Sequence, residues 1–172
     1  MRRSKKKYKR PLKMWNKQRI ETEKVIMKNF GLRRKHEIWN AEALLRKFRR
    51  MARELAAKKD KEMEKILVKK MIHLGMLGDG ADLDDVLGLT LENVLERRLQ
   101  TMILRKGFAT TPNQARQFIV HGHVVVDGKK VLYPSYIVAK KLEDKIQVDT
   151  APATKKVAVK DVPPKIENAS GE

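Results

Sequence analysis

Apolar residues recur along this chain first at helical and then at strand spacing. Ile20, Met27 and Phe30 fall on one face of a stretch running from Lys17 to Phe30, and Gly31 is placed to stop it. Asn40 offers an N-cap to a second helix, whose stripe is Leu44, Leu45, Phe48, Met51, Ala52 and Leu55. A third amphipathic stretch, Lys61 to Leu74, places Met63, Ile66, Leu67, Met71 and Leu74 inward and ends at Gly75. Gly75 to Thr90, rich in Gly and Asp, reads as a connector with one short helical turn over Leu83 to Leu87. Thr90 is then a candidate cap for a helix over Leu91 to Lys106, buried through Leu95, Leu99, Met102 and Ile103 and stopped by Gly107.

The most complete local signal comes next. Thr111 as N-cap, Pro112 at the first helical position and Gln114 three residues on predict a capping box, opening a helix that ends at Gly122. Within it Ala115, Phe118 and Ile119 share a face. The period then changes from helical to two: Val124 and Val126 precede Asp127-Gly128, a pair suited to a type I′ turn, and Val131 to Tyr133 supply the return strand. Pro134 interrupts the ladder, Tyr136 to Ala139 resumes an extended pattern, and Lys145 to Asp149 closes a small sheet. The expected class is α+β: a basic all-α N-terminal region over residues 1–92, a small helix-helix-hairpin domain over 93–149 and a flexible tail over 150–172.

Charge decides what such a chain is for. It carries 40 Lys and Arg against 21 Asp and Glu, and its 35% charged fraction exceeds the roughly 25% of ordinary domains. Residues 1–70 alone hold 26 basic and 8 acidic side chains, whereas 94–149 hold ten and five. This field calls for a polyanion, and nucleic acid comes first, because each neutralised phosphate releases counterions. An anionic membrane is second; no apolar run approaches about 18 residues and no signal-peptide core is visible, so spanning and secretion are not expected. Without cysteine, disulfides, thiolate catalysis and Cys-ligated zinc are excluded.

The second helix carries Arg46, Lys47, Arg49, Arg50 and Arg53, more than Glu42 and Glu54 can pair at i,i+4. Residues outside the core of the helix-hairpin platform, Arg98, Arg105, Arg116, His121, His123, Lys129 and Lys130, are expected to converge on one nucleic-acid surface. Arg33, Arg34 and Lys35, before the second helix, and Arg97 and Lys106, beside the platform, complete the basic candidates. His121 and His123 could share a side of a strand, but two ligands make a weak metal site. The acidic connector fails the spacing of a calcium loop. No Ser/His/Asp arrangement, phosphate loop or helical His-Glu motif appears, so no catalytic residue, cofactor, metal or small-molecule substrate is expected. With nine aromatic residues, recognition should rest on phosphates, 2′-hydroxyls and shape. A basic architectural protein on duplex DNA would share the charge without needing the platform.

The stretch LERRLQTMILRKGFATTPNQARQFIVHGHVVVDGKKVLYPSYIV resembles the S4-type RNA-binding domain in its Arg-Arg-Leu, Arg-x-Gly-Phe-Ala, Ala-Arg-Gln, His-Gly-His and Pro-Ser elements. KNFGLRRKHEIWNAEALLRKFRRMARELA is similar to the N-terminal part of the small-subunit ribosomal protein four family, in its archaeal and eukaryotic branch. The resemblance implies a cytoplasmic, ribosome-bound protein that binds the five-prime domain of small-subunit ribosomal RNA early in assembly and touches neighbouring small-subunit proteins. It also implies that Arg98, Arg105, Arg116, His121, His123 and Ser135 belong to the recognition surface. Two positions depart from the family pattern: the N-terminal zinc-binding cysteines are absent, and Gln100 stands where bacterial members often have Asp.

Overall fold

In the computed structural model, which describes residues 6–149, Asn16 opens α1 (Lys17–Phe30) by accepting a hydrogen bond from the Arg19 amide at 3.3 Å. The expectations for residues 1–5 and for the tail over 150–172 lie outside the described residues. The described part of the N-terminal arm has no helix or strand, yet it is anchored: the Tyr8 ring lies 5.7 Å from that of Trp39 and 6.0 Å from that of His36. Gly31 ends α1 in the left-handed region, at φ +59°, and sends its amide back to Met27 O.

The second helix, α2 (Lys35–Lys58), begins six residues before the start that an Asn40 cap would set, and Asn40 lies exposed inside it. Arg34, its N-cap, makes no side-chain capping bond. Tertiary partners hold the added turn instead, because Glu37, Ile38 and Ala41 are all buried. The rest of the stripe is as its spacing predicts, with Leu45, Phe48 and Ala52 buried and Leu44, Met51 and Leu55 packed beside them.

Around α2 gather α1, α3 (Lys61–His73), α4 (Leu83–Gly88) and α5 (Leu91–Glu96), sharing a core that includes Leu67, Met71, Val86, Val94 and Leu95. In α3 the inward face is narrower than predicted. Met63 and Ile66 are 53% and 59% exposed, because α2 and α4 cover only the Leu67–Met71 side.

The single helix predicted over Leu91 to Lys106 is two, α5 and α6 (Leu99–Arg105). Arg98 between them is extended, at φ −72° and ψ 142°, and bridges to Ile137. There the Leu99 amide donates to Tyr136 O at 2.8 Å and the Val138 amide donates to Arg97 O at 2.9 Å. Bonds to a returning segment thus replace intrahelical ones, and Thr101 Oγ1 satisfies the Leu95 carbonyl at 2.9 Å. Thr90 does not cap an amide; its hydroxyl donates to Asn93 Oδ1 at 2.6 Å.

A second core begins past the break, with Leu99, Met102 and Ile103 packed on Ala115 and Ile119 of α7 (Pro112–Val120) and on Val124, Val126, Val138 and Ile146. Thr111 Oγ1 accepts the Gln114 amide at 3.2 Å as predicted, but the return half of the box is displaced by one residue. Gln114 Oε1 accepts from the Thr110 amide at 2.9 Å and the Thr110 hydroxyl at 2.7 Å. The antiparallel sheet has the order β2–β1–β3, from β1 (Val124–Val126), β2 (Lys129–Lys130) and β3 (Ile146–Val148). Asp127 and Gly128 both have positive φ, +51° and +76°, as a type I′ turn requires. So tight a turn starts the return strand at once, pairing Val126 with Lys129, and not at Val131; only the Val131 amide extends the ladder, to Val124 O at 3.1 Å. The segment around Ile137 leaves this sheet and lies against Arg98.

Candidate nucleic-acid interface

The two cores meet along a polar seam. Glu37, in the first turn of α2, receives Arg98 Nη2 on Oε2 at 2.6 Å, and receives Arg116 Nη2 on Oε1 at 3.1 Å and Nη1 on Oε2 at 3.3 Å. Burial pushes the Glu37 carboxyl up, but the Arg116 hydrogen bonds and the charges of Arg98 and Arg116 outweigh it and hold the group below its ordinary value. Burial also lowers the Arg98 guanidinium, with Glu37 opposing that shift. Beside this cluster Gln100 Nε2 lies within donating distance of three carbonyls, Pro112 O at 2.9 Å, Gly31 O at 3.0 Å and Phe30 O at 3.3 Å.

Above the seam opens a groove of about 400 Å³, lined by Arg33, Arg34, Arg98, Arg116, Glu37 and Ser135 among others. Its walls come from the turn before α2 and the first turns of α2 itself, from Val94 of α5, Arg98 ahead of α6 and Arg116 of α7, and from the segment after the hairpin. Arg33, Arg34 and Ser135 are exposed, and Arg116 keeps 25% of its side chain open to solvent. Arg98, expected on the recognition surface, is 6% exposed and faces Glu37.

From the groove α2 carries a second basic surface. Arg46 and Arg50 pair along the helix with Glu42 at 3.5 Å and Glu54 at 3.1 Å, whereas Lys47 and Arg53 are exposed without an ion-pair partner among the described residues. Arg49 turns inward and donates to Leu89 O at 2.6 Å. Lys35 pairs with buried Glu23 at 3.3 Å, which also accepts from Trp39 Nε1 at 3.1 Å.

The remaining candidates divide between packing and surface. Arg97 donates to Glu143 and to the Val138 carbonyl, both at 3.1 Å, and Lys106 donates to the Glu143 carbonyl. These two therefore hold the Glu143 turn. Arg105 is exposed but paired with Glu96. His121 and His123 are exposed, their rings nearly parallel and 6.3 Å apart, with Phe118 edge-on to His123. Lys129 and Lys130 are exposed on β2. The structure brings together Arg33, Arg34, Arg98, Arg116 and Ser135; the others do not line the groove.

Glu37, His36 and Asn40, which also line the groove, were not among the expected site residues, nor was Gln100 on the seam beside it. Glu37 did leave a trace, as the lone acid between Gly31 and Ala41, beside two arginines, a lysine and a histidine. Gln100 stood out only as a departure from the family pattern, and its partners, being backbone carbonyls, leave no mark on the sequence.

Residues 97–146 match the S4 domain family. Across 151 residues, 84% of this chain and 83% of the relative, the sequence is 51% identical to a protein of Nanoarchaeum equitans named small ribosomal subunit protein uS4. Proteins of the same name from Korarchaeum cryptofilum and Methanothermobacter thermautotrophicus are 45% and 44% identical, over 86% and 84% of this chain and 90% and 86% of their own lengths.

Proposed function

This chain belongs to the uS4 family of small ribosomal subunit proteins, and from that premise we propose that it binds the five-prime domain of small-subunit ribosomal RNA directly and nucleates assembly there. Its role is structural, in the cytoplasmic small subunit, and not enzymatic. The groove carries the finer reading. Arg33, Arg34 and Arg116 supply guanidinium groups and Ser135 a hydroxyl on a preformed concave surface, a donor set that suits phosphates and 2′-hydroxyls. The exposed Lys47 and Arg53 on α2, with His121, His123, Lys129 and Lys130 on the hairpin side, extend the surface over which RNA backbone is followed.

Two cores that meet at the break before α6 suit this reading, since residues from both sides of the break line the groove. Neighbouring small-subunit proteins would take apolar surface that RNA does not need, and exposed Met63 and Ile66 on α3 suit such contact. Competition between five-prime-domain RNA and duplex DNA across a salt series tests the proposal. Both complexes should weaken with salt, and only the RNA complex should keep a preference over competitor. Equal competition at every salt concentration would favour a general basic binder instead.

A further inference from the structure

Among the described residues, Glu37 is the one carboxylate lining a groove whose other charged walls are Arg33, Arg34, Arg98 and Arg116. A carboxylate there repels phosphate, so its presence costs affinity for the partner the groove would take. Both of its oxygens are engaged across the seam. Arg98 lies just ahead of α6 and Arg116 on α7, so one α2 side chain ties two parts of the second core to the first. Gln100 makes a separate fastening, to the carbonyls that precede α2.

We infer that Glu37 is a positioning residue for RNA recognition: its buried carboxylate locks α2 onto the RNA-binding domain and sets the spacing between Arg33 and Arg34 on one wall and Arg116 and Ser135 on the other. The inference rests on the reading of the groove as RNA-facing. A bound phosphate needs donors from both walls at once, and walls that slide would still attract RNA by charge while losing its shape. Glu37 thus trades general attraction for a fixed geometry.

The effect has a sign that simple electrostatics reverses. Replacing Glu37 by Gln removes a negative charge, so a groove acting through charge alone would bind every nucleic acid more tightly. A groove held by Glu37 should instead lose about tenfold or more of its preference for five-prime-domain RNA over duplex DNA, without weaker binding to the DNA. The chain has no cysteine, so the full-length protein can carry spin labels at Ala56→Cys on α2 and Gln147→Cys on β3. The distance between them should be narrowly distributed in the parent and broadened by Glu37→Gln, with thermal melting confirming that the variant folds. Glu37→Asp keeps the charge on a shorter arm and should recover part of both properties; should Glu37→Gln fail to fold, Glu37→Asp carries the same measurements and should itself be broader than the parent. An unchanged narrow distance, or affinity rising for RNA and DNA together, would overturn the inference. A parent protein with no RNA preference would instead defeat the RNA reading, while the distance measurement would still decide whether Glu37 locks the seam.

Discussion

Gly31 and Pro112 approach so closely that a Cβ at residue 31 would sit 2.3 Å from Pro112 Cβ. Space and backbone demand glycine together, since Gly31 is at φ +59° as it ends α1. Gly31→Ala combines left-handed strain with overpacking and should destabilise the fold by about 2 to 5 kcal/mol. Urea denaturation measures it, and a loss under about 1 kcal/mol would show that the two cores part easily at this contact.

Protonation of Glu37 should remove part of the stability at acid pH. Its ordinary value is 4.5 and its folded value is lower, so between the two the unfolded chain binds more protons and stability rises with pH. The contribution is fully present above the unfolded value and is lost as pH falls through the folded one. Denaturation curves at steps below pH 5 should therefore be steeper in pH for the parent than for Glu37→Gln. Parallel curves would mean that another carboxylate dominates acid unfolding.

Thr111→Ala should cost about 1 kcal/mol, because it strands the Gln114 amide at the start of α7. Gln114 will not compensate, since its side-chain oxygen is engaged with Thr110. RNA affinity should fall only as far as the folded population does. A variant that melts like the parent but binds poorly would move Thr111 into the interface.

Lys47 and Arg53 together should account for part of the salt dependence of RNA binding. Both are exposed and unpaired among the described residues, and each phosphate contact adds about 0.7 to 0.9 to the slope of log affinity against log salt. The double replacement by Gln should flatten that slope by about 1.4 to 1.8 with little change in melting temperature. A slope equal to the parent's would make this face of α2 a solvated surface or a protein contact.

Much of the fold was legible because its signals are local. The bounds of α1, the Leu45–Phe48–Ala52 stripe, the Thr111 cap and the Asp127-Gly128 turn depend on residues a few positions apart, where spacing alone dictates geometry. The start of α2 and the break at Arg98 were not, because each replaces a local bond by a distant one. Met63 and Ile66 show the same limit: periodicity ranks the faces of a helix but does not say how wide a neighbour will cover.

The sequence by itself determined a basic α+β chain with a helix-hairpin platform and pointed to a family the relatives bear out. Tertiary structure alone decided which basic residues face outward. Arg98 and Arg116 look alike in the sequence and both meet Glu37, from 61 and 79 residues away, yet Arg98 is buried there while Arg116 keeps part of its side chain open to solvent. Charge and period are properties of single residues and near neighbours; burial, and the carboxylate a given arginine meets, depend on how distant segments pack, because only packing removes the water that would otherwise solvate each charge.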